Sequence, residues 1–192
     1  MEENTRNFII RLINIVALLA AVAWLVSSPG WEPAVAVLGS LAVLVGLEYQ
    51  EFSRRNSDSV DRKLFEQFLG LLPSDGVIAF VSTFDFGGIF FHDRLENLRT
   101  FRATWDNPEH EFLDRTLESK RKEFYQAVDE FMSQIGANTF VIEDGKQAIP
   151  REWEYKQTKR YHEAVESIHK SADKVSKRHT ELVRIARKKL KV

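Results

Sequence analysis

The sequence predicts a mainly α-helical protein: a two-helix transmembrane hairpin at the amino terminus, then a cytosolic helical domain with a small β-element and a long carboxyl-terminal helix. Two apolar runs without charged residues, 12–28 and 33–47, stand close together near the start. Beyond them the chain is polar, and its apolar residues recur mostly every three or four positions. An uncharged apolar run predicts a membrane span, whereas the helical spacing predicts amphipathic helices of a water-soluble domain.

The hairpin is predicted over residues 1–52, with spans of about 8–28 and 31–49 joined by a Pro-Gly turn. Each run is slightly short for a hydrocarbon core of ~30 Å, but apolar and aromatic neighbours extend both of them. A cleaved signal peptide is disfavoured, because cleavage after the first run would leave a chain that begins with the second. A hairpin lying in one leaflet and a hairpin buried in a soluble core are the alternatives.

Positive charge flanks the outer ends of the two spans and is absent from the turn between them. By the positive-inside rule, this pattern places both termini and the domain in the cytoplasm. The flanking basic residues are Arg6, Arg11, Arg54, Arg55, Arg62 and Lys63. The chain has no cysteine, so no disulfide framework points to an oxidising compartment.

Small residues recur four apart within the spans, a spacing that lets helix backbones approach closely in lipid. The pairs are Ala17 and Ala21, Ala36 and Ser40, and Ala42 and Gly46. They are expected to pack the hairpin against itself or, as the alternative, to join subunits in a homo-oligomer. No ionisable side chain lies in mid-span, which argues against a proton relay or a charge-selective pore.

A polar linker over residues 53–59 is predicted to connect the hairpin to a domain over residues 60–192. About 140 residues beyond the membrane are enough for one compact domain. Its first helix is predicted to start with Ser59 as the cap and to end before Pro73. The β-rich run over residues 77–83 then predicts a short buried strand.

Two amphipathic helices and a second strand are predicted next. Asp93 opens a helix whose inward residues are Leu95, Leu98, Phe101 and Trp105. Asn107 before Pro108 predicts the start of a long helix that ends near Gly136. Its apolar face consists of Leu113, Leu117, Phe124, Val128, Phe131 and Ile135. Residues 139–143 are the second candidate strand.

The last helix is predicted to be the longest, over residues 158–190. Its seam of apolar or small residues alternates four- and three-residue spacing. The seam consists of Tyr161, Val165, Ile168, Ala172, Val175, His179, Leu182 and Ala186. The seam is expected to pack on the long helix before it, and an intermolecular coiled coil is the alternative.

Composition and motifs argue against strong nucleic-acid binding and against a recognisable catalytic centre. Lys plus Arg is 27 and Asp plus Glu is 28, and the net charge of −1 does not favour a nucleic-acid partner. Residues 85–87 spell the Asp-Phe-Gly tripeptide of kinases, but the glycine-rich loop, paired lysine and catalytic loop are missing. The sequence predicts no catalytic residue, metal site or cofactor.

One candidate site is an aromatic loop with two glycines, followed by arginines on the next helix. Exposed backbone amides beside arginines would suit an anionic or nucleotide ligand. The candidate ligand-binding residues are Gly87, Gly88, Arg94, Arg99 and Arg102. The alternative is that the phenylalanines of the loop are core residues and the arginines form a solvated face.

A second candidate site is a basic cluster at the carboxyl-terminal end of the last helix. Its members are Arg184, Arg187, Lys188, Lys189 and Lys191. Near an anionic inner leaflet such a cluster is expected to contact lipid. The alternative is that it only compensates the dipole at the carboxyl end of the helix.

Several motifs in the domain resemble those of an uncharacterised bacterial protein family of unknown function. They are LLPSDG at 71–76, DFGG at 85–88, WDNPEHEFLD at 105–114, NTF at 138–140 and PREWEY at 150–155. The resemblance covers about residues 60–190 and leaves the hairpin outside. It implies a bacterial source, and hence the inner membrane, but no activity, cofactor or catalytic residue.

The sequence leads to the hypothesis of a non-enzymatic, membrane-anchored sensor or effector in a bacterial defence or stress system. Its cytosolic domain would recognise a ligand or partner, and its hairpins would respond by clustering. The layout is similar to that of small membrane effectors of bacterial antiviral systems, an analogy of layout alone. The alternatives are a membrane scaffold that recruits a cytosolic partner through its terminal helix and a membrane-bound hydrolase.

Overall fold

The structure, a computed structural model, describes the backbone of residues 2–192 and the side chains of residues 8–52 and 56–192. The chain divides into two compact units, Met1–Ser57 and Asp58–Val192. It is mainly α-helical, with a small three-stranded sheet, a long carboxyl-terminal helix and two amino-terminal helices apolar enough to cross a membrane. The fold class predicted from the sequence is therefore confirmed.

The first two helices carry the two apolar runs. Helix α1 spans Glu2–Ser27 and helix α2 spans Trp31–Leu71. Helix α2 is continuous through residues 53–59, so the predicted helix start at Ser59 is wrong. The polar residues of this stretch include neither glycine nor proline, and nothing in them interrupts the helical hydrogen bonds.

The apolar side chains of the first unit are mostly exposed. Phe8, Leu19 and Val45 each expose about two thirds of their surface, at 66%, 64% and 67%. Among the side chains described in this unit, only Ala21 and Pro33 are buried. A core helix of a soluble protein would show the opposite pattern, so the structure argues against the soluble-core alternative for the hairpin.

Polar groups in the apolar runs are satisfied by their own helix. Asn14 donates from Nδ2 to the carbonyl of Ile10 at 2.8 Å, and Ser40 donates from Oγ to the carbonyl of Ala36 at 2.9 Å. Internal satisfaction of this kind is what a lipid environment requires. A Cβ added at Gly46 would meet no described atom within 4 Å, so the close backbone approach predicted there is not present among the residues that the structure describes.

The second unit is built on the packing of two long helices, α5 (Arg115–Asn138) and α7 (Thr158–Leu190). The prediction that the terminal helix packs on the long helix before it is confirmed. Shorter helices complete the domain: α3 (Val77–Thr83), α4 (Glu96–Thr104) and α6 (Arg151–Lys156). The end of α2 contributes Phe65 and Phe68 to the same core.

Aromatic rings dominate the middle of this core. The ring of Phe68 meets Phe101, Trp105 and Phe124 edge-on, with centroids 6.0, 5.5 and 5.6 Å apart. It also stacks on the imidazole of His179 at 5.4 Å. Edge-to-face contacts at these distances are a preferred geometry of aromatic pairs. Through them the last turns of α2 pack against α4, α5 and α7.

Residues 77–83 form helix α3 and not the predicted strand. The buried residues of the helix are Val77, Ile78 and Val81, which share one helical face and pack against α7. The β-branched residues that predicted a strand are tolerated in a helix because tertiary packing overrides their weak local preference.

Asn107 and Pro108 start only a single 3₁₀ turn, Pro108–His110. Helix α5 begins later, at Arg115, where the Asp114 carboxylate accepts from the amides of Thr116 and Leu117 at 2.8 and 3.0 Å. The predicted start of the long helix is therefore wrong. Leu113, assigned to its apolar face, lies before the helix and is 57% exposed.

The sheet has the order β1-β3-β2, and both strand pairs are antiparallel. Its strands are β1 (Phe90–Phe91), β2 (Phe140–Val141) and β3 (Lys146–Ala148). Strand β2 confirms the candidate at 139–143, whereas β1 and β3 were not predicted. A positive φ of 74° at Gly145 completes the turn between β2 and β3, where a Cβ would meet the His92 ring at 3.0 Å.

Candidate functional site

The aromatic loop over residues 84–88 lies between α3 and β1 and packs its rings inward. Phe86 is fully buried, and its ring meets Phe131 of α5 edge-on at 5.4 Å. Phe84 and Phe90 surround it at 5.3 and 5.5 Å. These phenylalanines belong to or pack against the core, as the alternative interpretation of the loop expects.

The backbone amides of the loop already have acceptors within the chain. The amide of Phe86 donates to Nε2 of His169 at 3.0 Å, and the amide of Gly87 donates to Oδ1 of Asp85 at 2.9 Å. The amide of Gly88 donates to the carbonyl of Asp85 at 2.9 Å. An anion bound at this turn would therefore have to displace these acceptors, and anion binding by Gly87 and Gly88 stays a prediction.

Gly87 lies at a close approach between the loop and α7. A Cβ at this position would lie 3.2 Å from both Oδ1 of Asp85 and Oη of Tyr161. The Tyr161 hydroxyl donates to the Gly87 carbonyl at 3.2 Å. Burial raises the pKa of Tyr161, and the negative charges of Glu154 and Asp85 raise it further, so the hydroxyl keeps the proton that it donates.

The three candidate arginines point to separate partners and do not converge. The Arg94 guanidinium lies over the Phe80 ring, 4.7 Å from its centroid. Arg99 donates from Nη1 to the carbonyl of His92 at 2.6 Å. Arg102 donates from Nε to Asp129 at 2.7 Å. The structure does not gather these arginines around the glycine turn, and anion binding by them stays a prediction.

The terminal basic cluster is partly engaged by the domain itself. Lys189 donates from Nζ to Oδ2 of Asp114 at 2.6 Å and to Oγ1 of Thr116 at 3.0 Å. Although burial raises the pKa of Asp114, the hydrogen bond from Lys189 and the two capping amides together lower it. Arg187 donates to the carbonyl of Val192 at 3.2 Å. The remaining members are exposed: Arg184, Lys188 and Lys191.

A buried carboxylate that the sequence analysis missed joins the last part of α2 to the start of α5. Asp61 is only 1% exposed, and it accepts from the amides of Leu113 at 2.7 Å and Asp114 at 2.9 Å. A signal was present, because Asp61 lies on the same helical face as the buried Leu64 and Phe68. A charged residue on an apolar face is expected to have buried partners.

Arg121 is a second buried charge, 1% exposed, on the apolar face of α5. Its Nη2 and Nε donate to the two carboxylate oxygens of Glu118 at 2.7 and 2.9 Å, and Nη1 donates to the carbonyl of Trp105. Burial raises the pKa of Glu118, but the bonds from Arg121 and the amide of Phe112 outweigh it and lower the pKa. This pair anchors the segment between α4 and α5.

Within residues 8–52 and 56–192, no cluster of three or more histidine, aspartate or glutamate side chains is arranged to hold a metal ion. Compared with protein-family models, curated proteins and solved structures, the chain matches none of them. The resemblance to a bacterial family therefore stays a hypothesis that rests on the sequence motifs alone.

Proposed function

We propose that this protein is a non-enzymatic, membrane-anchored sensor or effector. Its two apolar helices hold it in a membrane, and its helical domain recognises a ligand or partner. Recognition in the domain would change the clustering of the hairpins. The proposal places the protein in a bacterial inner membrane with both termini in the cytoplasm.

The observation that carries this proposal is the contrast in exposure between the two units. The first unit leaves long apolar side chains uncovered along both of its helices, whereas the second unit buries a continuous core of its own. Exposed apolar area on this scale is unfavourable in water and favourable in lipid. The contrast supports a membrane anchor that carries a separate recognition domain.

Charges at the outer end of the first unit are paired with each other. Nη2 of Arg11 lies 3.3 Å from Oε1 of Glu48, and it also donates to Glu51. An ion pair next to the apolar runs lowers the cost of holding these groups near lipid. Arg11 still counts for the positive-inside rule, since acidic residues contribute little to it. The side chains of Arg6, Arg54 and Arg55 lie outside the described residues.

The scaffold alternative needs a terminal helix with a free apolar face. Ile168, Val175 and Leu182 of the seam are fully buried inside the domain, where α7 packs on α5 and α3. Recruitment through this seam would require α7 to leave the core. The covered seam therefore favours the sensor or effector over a scaffold that uses α7.

Membrane anchoring is tested by expressing the full chain in bacteria and extracting the membranes with alkaline carbonate. We expect the protein to stay in the pellet. Leu19→Lys together with Leu41→Lys places a charge in each span, at about 2.5–3.5 kcal/mol per charge, and should move the protein to the supernatant. Ser133→Lys on the exposed side of α5 is the matched control. A wild-type protein found in the supernatant would contradict the anchor.

The ligand is tested by thermal unfolding of the detergent-solubilised full chain with a panel of nucleotides. A nucleotide at 100 times its dissociation constant should stabilise the protein by ~2.7 kcal/mol. Arg99→Ala should remove this stabilisation, whereas the exposed Arg184→Ala should retain it. If no nucleotide in the panel stabilises the protein, these nucleotides are excluded as its ligand. The domain would then be expected to recognise a macromolecular partner.

A further inference from the structure

Strand β2 lies at one edge of the small sheet, and within the described part of the chain it pairs with β3 alone. Phe140 and Ile142 point their backbone groups toward β3, as the bond from the Ile142 amide to the Lys146 carbonyl at 2.8 Å shows. In an antiparallel ladder, alternate residues point their amide and carbonyl to opposite sides. The amide and carbonyl of Val141 therefore point away from the sheet.

This edge is apolar and exposed. Phe140, Val141 and Ile142 expose 51%, 66% and 50% of their surface, although the domain buries most of its other large apolar residues. No charged residue interrupts the edge between residues 139 and 142. Soluble proteins commonly protect such an edge with a lysine, a proline or a covering element. An unprotected apolar edge is a ready surface for a further strand.

We propose that residues 140–142 are an interface through which two copies of this chain pair, edge to edge and antiparallel, with Val141 on the two-fold axis. Each Val141 would exchange its amide and carbonyl bonds with Val141 of the second copy. The two three-stranded sheets would then continue as one sheet of six strands. The inference rests on the proposed function, because it names the partner that brings the hairpins together.

The sequence of the edge is complementary to itself in this register. Phe140 falls opposite Ile142 of the second copy, in the non-hydrogen-bonded position where side chains approach most closely. The ladder ends on either side of these pairs, because Asn138 is the last residue of α5 and Asp144 lies in the turn to β3 with a φ of 50°. At its ends Glu143 of one copy falls nearest the neutral Thr139 of the other, so no two like charges face each other. This fit of apolar to apolar and charged to neutral favours a second copy over an unrelated strand.

Because the edge is small, pairing of two copies through it depends on their being held in the same membrane. Three residues from each copy bury much less than the ~1,200–2,000 Å² of a stable interface. A pair held only by this edge would be weak in solution. Confinement of both copies to one membrane raises their effective concentration, and a weak contact then becomes sufficient. The edge is thus suited to report or drive clustering of anchored chains.

Disulfide cross-linking in membranes tests the register, since the natural chain has no cysteine. In the full-length Val141→Cys variant, the two Cα atoms would lie about 5.5 Å apart, within the ~4.4–6.8 Å that a disulfide spans. Glu143→Cys is the matched control on the same exposed segment, because a shift of four residues along the strand and the spacing between the strands together put its two Cα atoms about 14 Å apart. We expect an oxidant to produce several-fold more Val141→Cys dimer.

A second arm uses two differently tagged chains expressed together, one with Phe140→Cys and one with Ile142→Cys. These positions face each other across the proposed axis, so the mixed dimer should form in preference to either homodimer. Adding Val141→Pro to both chains removes the outward amide and should abolish the mixed dimer. Adding Val141→Thr keeps the amide and should preserve it. Proline at an edge position leaves the internal ladder intact.

Equal cross-linking of Val141→Cys and Glu143→Cys, absence of both dimers, or linkage of Val141→Cys to a different protein would each overturn the pairing of copies. Carbonate extraction of the same samples separates this inference from the membrane anchor. A membrane-bound chain without the dimer contradicts only the pairing. A Val141→Cys dimer in the soluble fraction supports the pairing and contradicts only the anchor.

Discussion

Nε2 of His179 in α7 lies 2.8 Å from the main-chain carbonyl of Leu72, just beyond the end of α2. Because a carbonyl only accepts, Nε2 carries the proton and donates it. The imidazole is 1% exposed and stacks on Phe68. Burial lowers the pKa of His179, and the Leu72 carbonyl opposes this only in part. A neutral histidine thus joins two helices that are distant in sequence.

Acidification should therefore destabilise the domain through His179. In the unfolded chain the imidazole titrates near its usual pKa of ~6.5, whereas its pKa is lower in the folded protein. Below about pH 6.5 the unfolded state binds more protons, so the free energy of unfolding falls as the pH is lowered toward the folded pKa. Urea midpoints measured from pH 7.5 to 5 should show this loss.

The control for this pH dependence is the His179→Gln variant, whose side chain retains a hydrogen-bond donor but does not titrate. The variant should be less stable than the wild type at pH 7.5, and the difference between the two should shrink on acidification. Parallel curves for the two proteins would show that His179 does not contribute to the pH dependence.

Residues 58–192 should fold without the hairpin. The unit Asp58–Val192 contains both the His179 contact and the whole core around Phe68, so its packing does not depend on the apolar runs. Circular dichroism should show a helical protein, and urea should unfold it in one cooperative transition. A chain without a cooperative transition would indicate that the core needs the first unit.

Asp61→Asn should destabilise the same fragment by ~1–3 kcal/mol, the cost of an unsatisfied buried donor. The two carboxylate oxygens of Asp61 accept from two amides, and an asparagine would present its own amino group to one of them. Asp58→Asn, an exposed change three residues earlier, is the control and should be near neutral. Equal urea midpoints for the two variants would contradict the buried role of Asp61.

Phe124→Ala and Phe131→Ala should each lower the free energy of unfolding by ~3–5 kcal/mol. Both rings are fully buried where α5 meets α7, so each substitution leaves a cavity. Tyr155→Ala removes a ring that is 80% exposed and should change the urea midpoint little. A loss as small as that of Tyr155→Ala would show that these rings are not part of the core.

A reporter fused to the carboxyl terminus tests the orientation of the full chain. Because positive charge flanks the outer ends of the spans, a cytoplasmic fluorescent reporter should be active and periplasmic alkaline phosphatase inactive. Replacing Arg54, Arg55, Arg62 and Lys63 together by glutamine should weaken this bias. Arg160→Gln, far along the chain, is the control for loss of a single charge. Phosphatase activity in the unaltered chain would reverse the orientation.

Periodic patterns were sufficient to predict the larger elements. The uncharged runs predicted α1 and the first part of α2, and the seam over residues 158–190 predicted α7 together with its packing on α5. Phe124, Val128 and Phe131 occupy the buried face that their spacing predicted. These features are local, since an amphipathic helix repeats its apolar face every three to four residues whatever lies opposite.

The sequence by itself thus determined where the apolar runs lie, that the domain is helical, and which faces of α5 and α7 enter the core. Tertiary structure decided that residues 77–83 form a helix, that α5 starts at Arg115, and that three very short strands pair. It also decided which groups accept hydrogen bonds from the loop amides and which amides donate to the carboxylate of Asp61. The physical reason is that the apolar face of a helix depends on residues three or four positions apart. A hydrogen-bond partner, by contrast, comes from a distant segment that is brought close only by folding.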